Sequence, residues 1–187
     1  MSKKQKKEMT IIIALAAVLV IMIAAYFMAV KHNENKEKAA DSTVNLLHLD
    51  TSLATKLEIT NTNGSFVFEK KDGTWIMPSD ESFEVSEGSI NKVLDVFADL
   101  VADKCVLNNK DTLSEYALDK PIAKTTITLS DGTTKTISLG GTVPTTGGYY
   151  GMLDDKEGVY TFNEGSVMNL CLALDAFSVS GEATEEP

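Results

Sequence analysis

The hydrophobic pattern of this chain has two regimes. From Thr10 to Val30 it is unbroken: 21 residues, TIIIALAAVLVIMIAAYFMAV, with no charge among them. At about 1.5 Å of rise per residue this run spans roughly 31 Å as a helix, the thickness of a bilayer's hydrocarbon core. Beyond it the apolar residues come in short alternating or helical periods, the signature of a water-soluble fold.

Residues 31–42 (KHNENKEKAADS) are polar and aperiodic and read as a flexible stalk. Val44 to Asp50 opens the folded part. In TKLEIT, Leu57 and Ile59 alternate with polar residues, and Asn63-Gly64 joins this strand to SFVFEKK, a hairpin signal. Asp72-Gly73 turns the chain into Trp75 and Ile76. From Ser86 to Ala102, Ile90, Val93, Leu94, Phe97, Leu100 and Val101 recur at helical spacing, with Ser86 as N-cap and Asn91, Lys92, Asp95 and Asp99 outward. Lys104–Leu107 reads as a strand and Asp111–Tyr116 as a single helical turn.

After Pro121 the pattern repeats. TTITLS, Asp131-Gly132 and TTKTISLG form a hairpin; GGTVPTTGG connects to YYGML, the turn DDKEG and VYTF. A last helix is expected from about Asn163 to Phe177, with Val167, Leu170, Cys171, Leu174 and Phe177 on one face. Hairpin, further strand and helix thus occur twice, which leaves an internal duplication open. The fold class is α+β: an antiparallel sheet built from hairpins with two amphipathic helices packed on it, preceded by one N-terminal transmembrane helix. The segments are a basic terminus (1–9), the anchor (10–30), the stalk (31–42), the domain (43–178) and a disordered tail (179–187).

The apolar run is too long for a signal-peptide core, and its flanks lack a small-x-small cleavage site: a cut after Ala29 puts Phe27 at the −3 position. No cysteine follows it, as a lipoprotein would need. Lys3, Lys4, Lys6 and Lys7 hold the N-terminus in the cytoplasm, which sends the C-terminal domain out of it. The expectation is a single-pass cell-membrane protein that meets the lipid bilayer through residues 10–30.

Charge narrows the partners. All 17 basic residues are lysine, and 13 of them lie beyond residue 30 against 26 acidic residues, a net −13. Such a surface repels phosphate backbones, and the bidentate guanidinium clamp is missing, so nucleic acid is excluded as a partner. Cys105 and Cys171 read as buried thiols, with a disulfide left open.

Several segments taken together resemble the DUF4340 family of bacterial membrane-anchored proteins: the anchor, KKDGTWIMP, SINKVLDVFADLVADKCV, SEYALDKP, TTITLSDGTTKTISLGG and GGYYGMLDDKEGVYTF. Their order and spacing carry the likeness, over roughly residues 44–177. It implies an envelope-facing protein; some relatives look like accessory components beside ABC-type export or gliding-type transport systems. Where the family shows Tyr-Gly-Leu-Asp, this chain has Tyr116-Ala117-Leu118-Asp119. In a left-handed cap that alanine costs about 1 kcal/mol relative to glycine.

Candidate chemistry is sparse. His32 and His48 are the only histidines, and neither neighbours a glycine-flanked serine elbow. His48 reads as a strand-surface residue. Asp154-Asp155 sits at a hairpin tip without the spaced ligand pattern of a calcium loop, so turn chemistry is the simpler reading. GGTVPTTGGYYG is glycine-dense but has neither the lysine nor the following helix of a phosphate loop. Gly147, Gly148, Tyr149 and Tyr150 are the candidate contacts for a ligand or partner, and Tyr160 could join the two tyrosines in an aromatic platform; a turn, a bulge and core packing are the competing explanations. No catalytic residue, metal site or cofactor is expected. Three readings follow. The first is a non-catalytic tethered module that assists an envelope complex such as an ABC-type transporter. The second is a binding domain for a glycan, peptide or cation. The third, a hydrolase, ranks last.

Overall fold

The computed structural model describes residue 22, residues 43–107 and residues 112–182. The apolar segment apart from Met22, the stalk, residues 108–111 and residues 183–187 lie outside the described residues, so the expectations placed there stand as expectations. Among the described residues no helix is long and apolar enough to cross a membrane. Residues 42–187 form one compact unit.

Alternation builds a large antiparallel sheet. Its strands are β2 (Ala54–Asn61), β3 (Gly64–Lys71), β4 (Thr74–Ile76), β6 (Lys104–Leu107), β7 (Ala123–Leu129), β8 (Thr134–Thr142), β9 (Tyr149–Leu153) and β10 (Val159–Phe162), in the spatial order β4-β3-β2-β7-β8-β9-β10-β6. A separate ribbon pairs β1 (Val44–His48) with β5 (Asp99–Ala102). The turns fall at the predicted places with one shift: between β2 and β3 the two turn residues are Thr62 and Asn63, and Gly64 is already paired with Asn61. Asp72 and Gly73 both have positive φ, the conformation a two-residue hairpin needs to follow strand twist. Leu57, Ile59, Phe68, Ile127, Ile137, Leu139 and Phe162 face one side and form the core, roofed by the helix α1 (Glu87–Ala98). Ser86 caps that helix by accepting from Ser89 N–H. The α+β class holds.

Two helix boundaries are corrected. α1 stops at Ala98, and Asp99–Ala102 becomes β5, because Leu100 and Asp99 pair with Leu47 and His48 of β1; tertiary pairing overrides the helical period. The last helix is not continuous. It is divided into α2 (Glu164–Val167) and two 3-10 turns, Met168–Cys171 and Leu174–Phe177, separated by extended Leu172 and Ala173. Carbonyls that a helix would use internally are taken by side-chain amides: Asn61 donates to Leu170 and Leu172, and Asn63 to Cys171. Val167, Leu170 and Phe177 still reach the core. The first residues assigned to the tail form one helical turn, α3 (Val179–Glu182).

The open question of duplication acquires a geometry. β2-β3-β4 runs outward from the sheet's centre one way and β7-β8-β9 the other, with β2 antiparallel to β7 between them. Lys56, Ile59 and Thr60 recur as Lys124, Ile127 and Thr128, 68 positions on. The β2–β7 register is symmetric about the pair Glu58–Thr126, for Lys56 faces Thr128 and Thr60 faces Lys124. Phe83-Glu84-Val85-Ser86-Glu87-Gly88-Ser89 recurs as Tyr160-Thr161-Phe162-Asn163-Glu164-Gly165-Ser166, 77 positions on; Leu94-Asp95-Val96-Phe97 recurs as Leu174-Asp175-Ala176-Phe177, 80 positions on. The second copy therefore holds three extra residues inside its helix, which accounts for the break. Ser86 and Asn163 cap corresponding helix starts.

Candidate functional site

The glycine-rich connection between β8 and β9 is a tight, hydrogen-bonded turn. Val143 N–H donates to the Gly148 carbonyl (2.7 Å) and Gly147 N–H to the Val143 carbonyl (2.9 Å), with Gly147 at φ 74°. A side chain on Gly148 would overlap the carbonyl oxygen of Phe162, so this glycine lets two backbones approach. Gly140 and Gly141 fall where the β8–β9 register slips, between Leu139 and Thr142, and Gly140 lies under the Tyr116 carbonyl and the Leu118 side chain. The bulge and turn reading thus describes how these glycines are placed. The 3-10 turn Leu113–Tyr116 docks over the bulge and ends on Ala117 at φ 56°, the left-handed cap expected there.

Successive strand residues face opposite sides, which separates the tyrosines. Tyr149 packs against the core and Tyr160 belongs to it. Tyr150 points to the other face, where its ring meets Tyr116 edge-on with centroids 4.9 Å apart. A platform of Tyr149, Tyr150 and Tyr160 is therefore not assembled; the aromatic pair is Tyr116 and Tyr150. Burial is the main cause that pushes the Tyr160 phenol upward, with Cys105 and Asp155 adding to it.

The sequence missed a second place. His48 and Asp99 are cross-strand partners in the β1–β5 ribbon, Nδ1 to Oδ1 3.9 Å apart, with side chains 90% and 70% exposed. With Asn45, Leu46 and Leu47 they line a solvent-open cavity of about 440 Å³. Nothing in local sequence joins residues 48 and 99; only the strand register does. A pair this exposed and 3.9 Å apart is a solvent-screened contact that can hold a polar ligand only weakly.

The remaining polar groups serve the fold. Asp155 accepts a hydrogen bond from Lys135 across the hairpin end, which holds its carboxyl below the usual carboxylate range. Asp131 and Asp80 accept from Thr133 and Ser82 in their turns and are likewise lowered. Both cysteines are thiols, half-buried, and burial raises each pKa; Cys105 Sγ lies 3.4 Å from the Leu107 carbonyl. Among the described residues no three histidine, cysteine or acidic side chains come together as a metal site.

Neither the curated proteins nor the solved structures contain a match to this chain. The family model described as a domain of unknown function, DUF4340, matches residues 75–178, from β4 to the last 3-10 turn and leaving β1 to β3 ahead of it. By that match, over more than half of its length, the chain belongs to the DUF4340 family.

Proposed function

We propose that this protein is a single-pass, membrane-anchored module that holds an extracytoplasmic α+β domain in a cell-envelope complex and does no chemistry itself, with an ABC-type transport system as the partner. The observation that carries this reading is the uncharged 21-residue segment behind four lysines, joined by a polar stalk to an acidic sheet domain. The local structure supports it, since the carboxylates at Asp80, Asp131 and Asp155 are committed to turns and a cross-strand pair. The test is amber-directed photocrosslinking from the exposed positions Thr60 and Lys124 in native membranes, followed by mass spectrometry. Recovery of defined envelope partners, reproducible from both positions, is expected; crosslinks to lipid and abundant bystanders alone would sink it.

A second reading is a ligand-binding domain around Gly147, Gly148, Tyr149 and Tyr150. The edge-on Tyr116–Tyr150 pair favours it, because an aromatic ring beside a glycine turn suits a sugar or peptide. Thermal-shift screening of the detergent-solubilised chain against wall glycans, peptides and divalent cations separates the two readings.

A further inference from the structure

The chain contains a single Asn-Gly pair, Asn63-Gly64, and it falls where the sheet holds the broken helical region. Asn63 ends the two-residue turn between β2 and β3, and Gly64 opens β3 opposite Asn61. Both residues are exposed. Gly64 has φ 139°, a conformation that suits glycine, and its backbone nitrogen has no Cβ beside it to hinder approach.

Two side-chain amides at this turn form a clamp. Asn61 Nδ2 donates to the carbonyls of Leu172 (2.8 Å) and Leu170 (3.3 Å), and Asn63 Nδ2 donates to the Cys171 carbonyl between them (3.0 Å). Asn63 N–H donates to Asn61 Oδ1 (2.8 Å), which fixes how the Asn61 amide is turned. The clamped residues lead into Leu174–Phe177, and the Phe177 ring packs against Phe66 and Phe68 of β3. A carboxylate at position 63 has no hydrogen to donate, and it meets the Cys171 carbonyl oxygen with like charge.

We propose that Asn63 is a site of spontaneous deamidation, and that the reaction undoes this clamp irreversibly. When the Asn63 side chain leaves Cys171, the Gly64 backbone nitrogen loses its proton and adds to Asn63 Cγ. The bond from Cγ to Nδ2 breaks, ammonia leaves, and a succinimide ring links residues 63 and 64. Water then opens the ring at one of its two carbonyls. Opening at the main-chain carbonyl gives isoaspartate, with the chain continuing through Cβ and Cγ; opening at Cγ gives aspartate. The net change is an amide and a water into a carboxylate and an ammonium ion, with no oxidant or reductant. Aspartate loses the bond to Cys171. Isoaspartate also lengthens the main chain by one atom inside the turn, which displaces Asn63 N–H from Asn61 Oδ1 and frees the Asn61 amide to rotate. The inference is independent of what the domain binds.

The test is timed incubation of the folded full-length protein in detergent, followed by peptide mass spectrometry, with electron-transfer fragmentation to separate isoaspartate from aspartate. Deamidation at Asn63 is expected to outpace that at Asn61, Asn163 and Asn169, whose following residues carry side chains, by at least tenfold. Its rate should rise with pH, because the Gly64 nitrogen attacks after losing its proton. Hydrogen exchange across residues 168–178 should be about tenfold faster in the aged protein and in Asn63→Asp than in the fresh protein, the effect of losing a hydrogen bond. Asn91→Asp, an equal change at an exposed position of α1, should leave that exchange unaltered. The proposal is overturned if Asn63 deamidates no faster than the other three asparagines. It is overturned equally if the aged protein and Asn63→Asp exchange at the fresh rate, or if Asn91→Asp speeds exchange as much.

Discussion

Thr125 makes the sharpest test of the core. Its side chain is fully buried, its Oγ1 has no hydrogen-bond partner, and its strand neighbours across the sheet are Ile59 and Ile137. The equivalent position in the first repeat is Leu57, also fully buried, so the fold accepts an apolar side chain at this point. A buried hydroxyl without a partner costs about 1–3 kcal/mol. Thr125→Val exchanges that hydroxyl for a methyl of similar size and keeps the β-branch that suits a strand. The expected gain is about 1–2 kcal/mol, a rise in Tm of roughly 3–6 °C for a domain of this size. Trp75, the sole tryptophan and itself buried, reports unfolding directly. Urea titration followed by its emission should move the midpoint upward with an unchanged slope. Thr125→Ser keeps the hydroxyl and removes the methyl, and should lose about 1 kcal/mol. If Thr125→Val is neutral or destabilising while Thr125→Ser is tolerated, the hydroxyl is satisfied in solution and the reasoning fails.

Other sites give further expectations. Ala117→Gly relieves a left-handed alanine at the end of the Leu113–Tyr116 turn and should stabilise by about 0.5–1 kcal/mol, measured by the same titration. Gly148→Ala drives a methyl into the Phe162 backbone and should cost about 1–3 kcal/mol or more; a neutral result would mean that the β9–β10 approach is looser than described. Asp155, lowered chiefly by its hydrogen bond from Lys135, contributes stability that is present above the unfolded carboxylate pKa and lost as pH falls through its lower folded value. Asp155→Asn should therefore flatten the acid limb of stability against pH below about 4 and leave the slope above pH 6 unchanged.

What the sequence revealed follows from the range of the forces involved. The three hairpins signalled by Asn63-Gly64, Asp72-Gly73 and Asp131-Gly132 were legible because turn conformation is decided within four residues, although the first turns one residue earlier, at Thr62-Asn63. The start of α1 was legible from its Ser86 cap, but its end was not, because Asp99 and Leu100 leave the helix for partners in β1 about fifty residues earlier. The last helix kept its apolar spacing in sequence and is broken all the same. Three extra residues relative to α1, and amide donors on Asn61 and Asn63, do what periodicity cannot register. Of the candidate contacts, Gly147 and Gly148 were rightly seen as a turn-prone stretch, whereas the Tyr150–Tyr116 contact and the His48–Asp99 pair depend on register and on a docked turn. The repeat itself was visible in the residues but hidden by an offset that grows from 68 to 80 along the chain.

The central claim is that the domain stands outside the membrane on the anchor at residues 10–30. Proteinase K digestion of sealed, right-side-out cells carrying epitopes at both ends of the full chain tests it in one experiment. The account predicts loss of the C-terminal epitope and retention of a small N-terminal fragment that stays with the membrane after alkaline extraction. A C-terminal epitope protected until the cells are lysed, or an N-terminal fragment released by alkali, would contradict it.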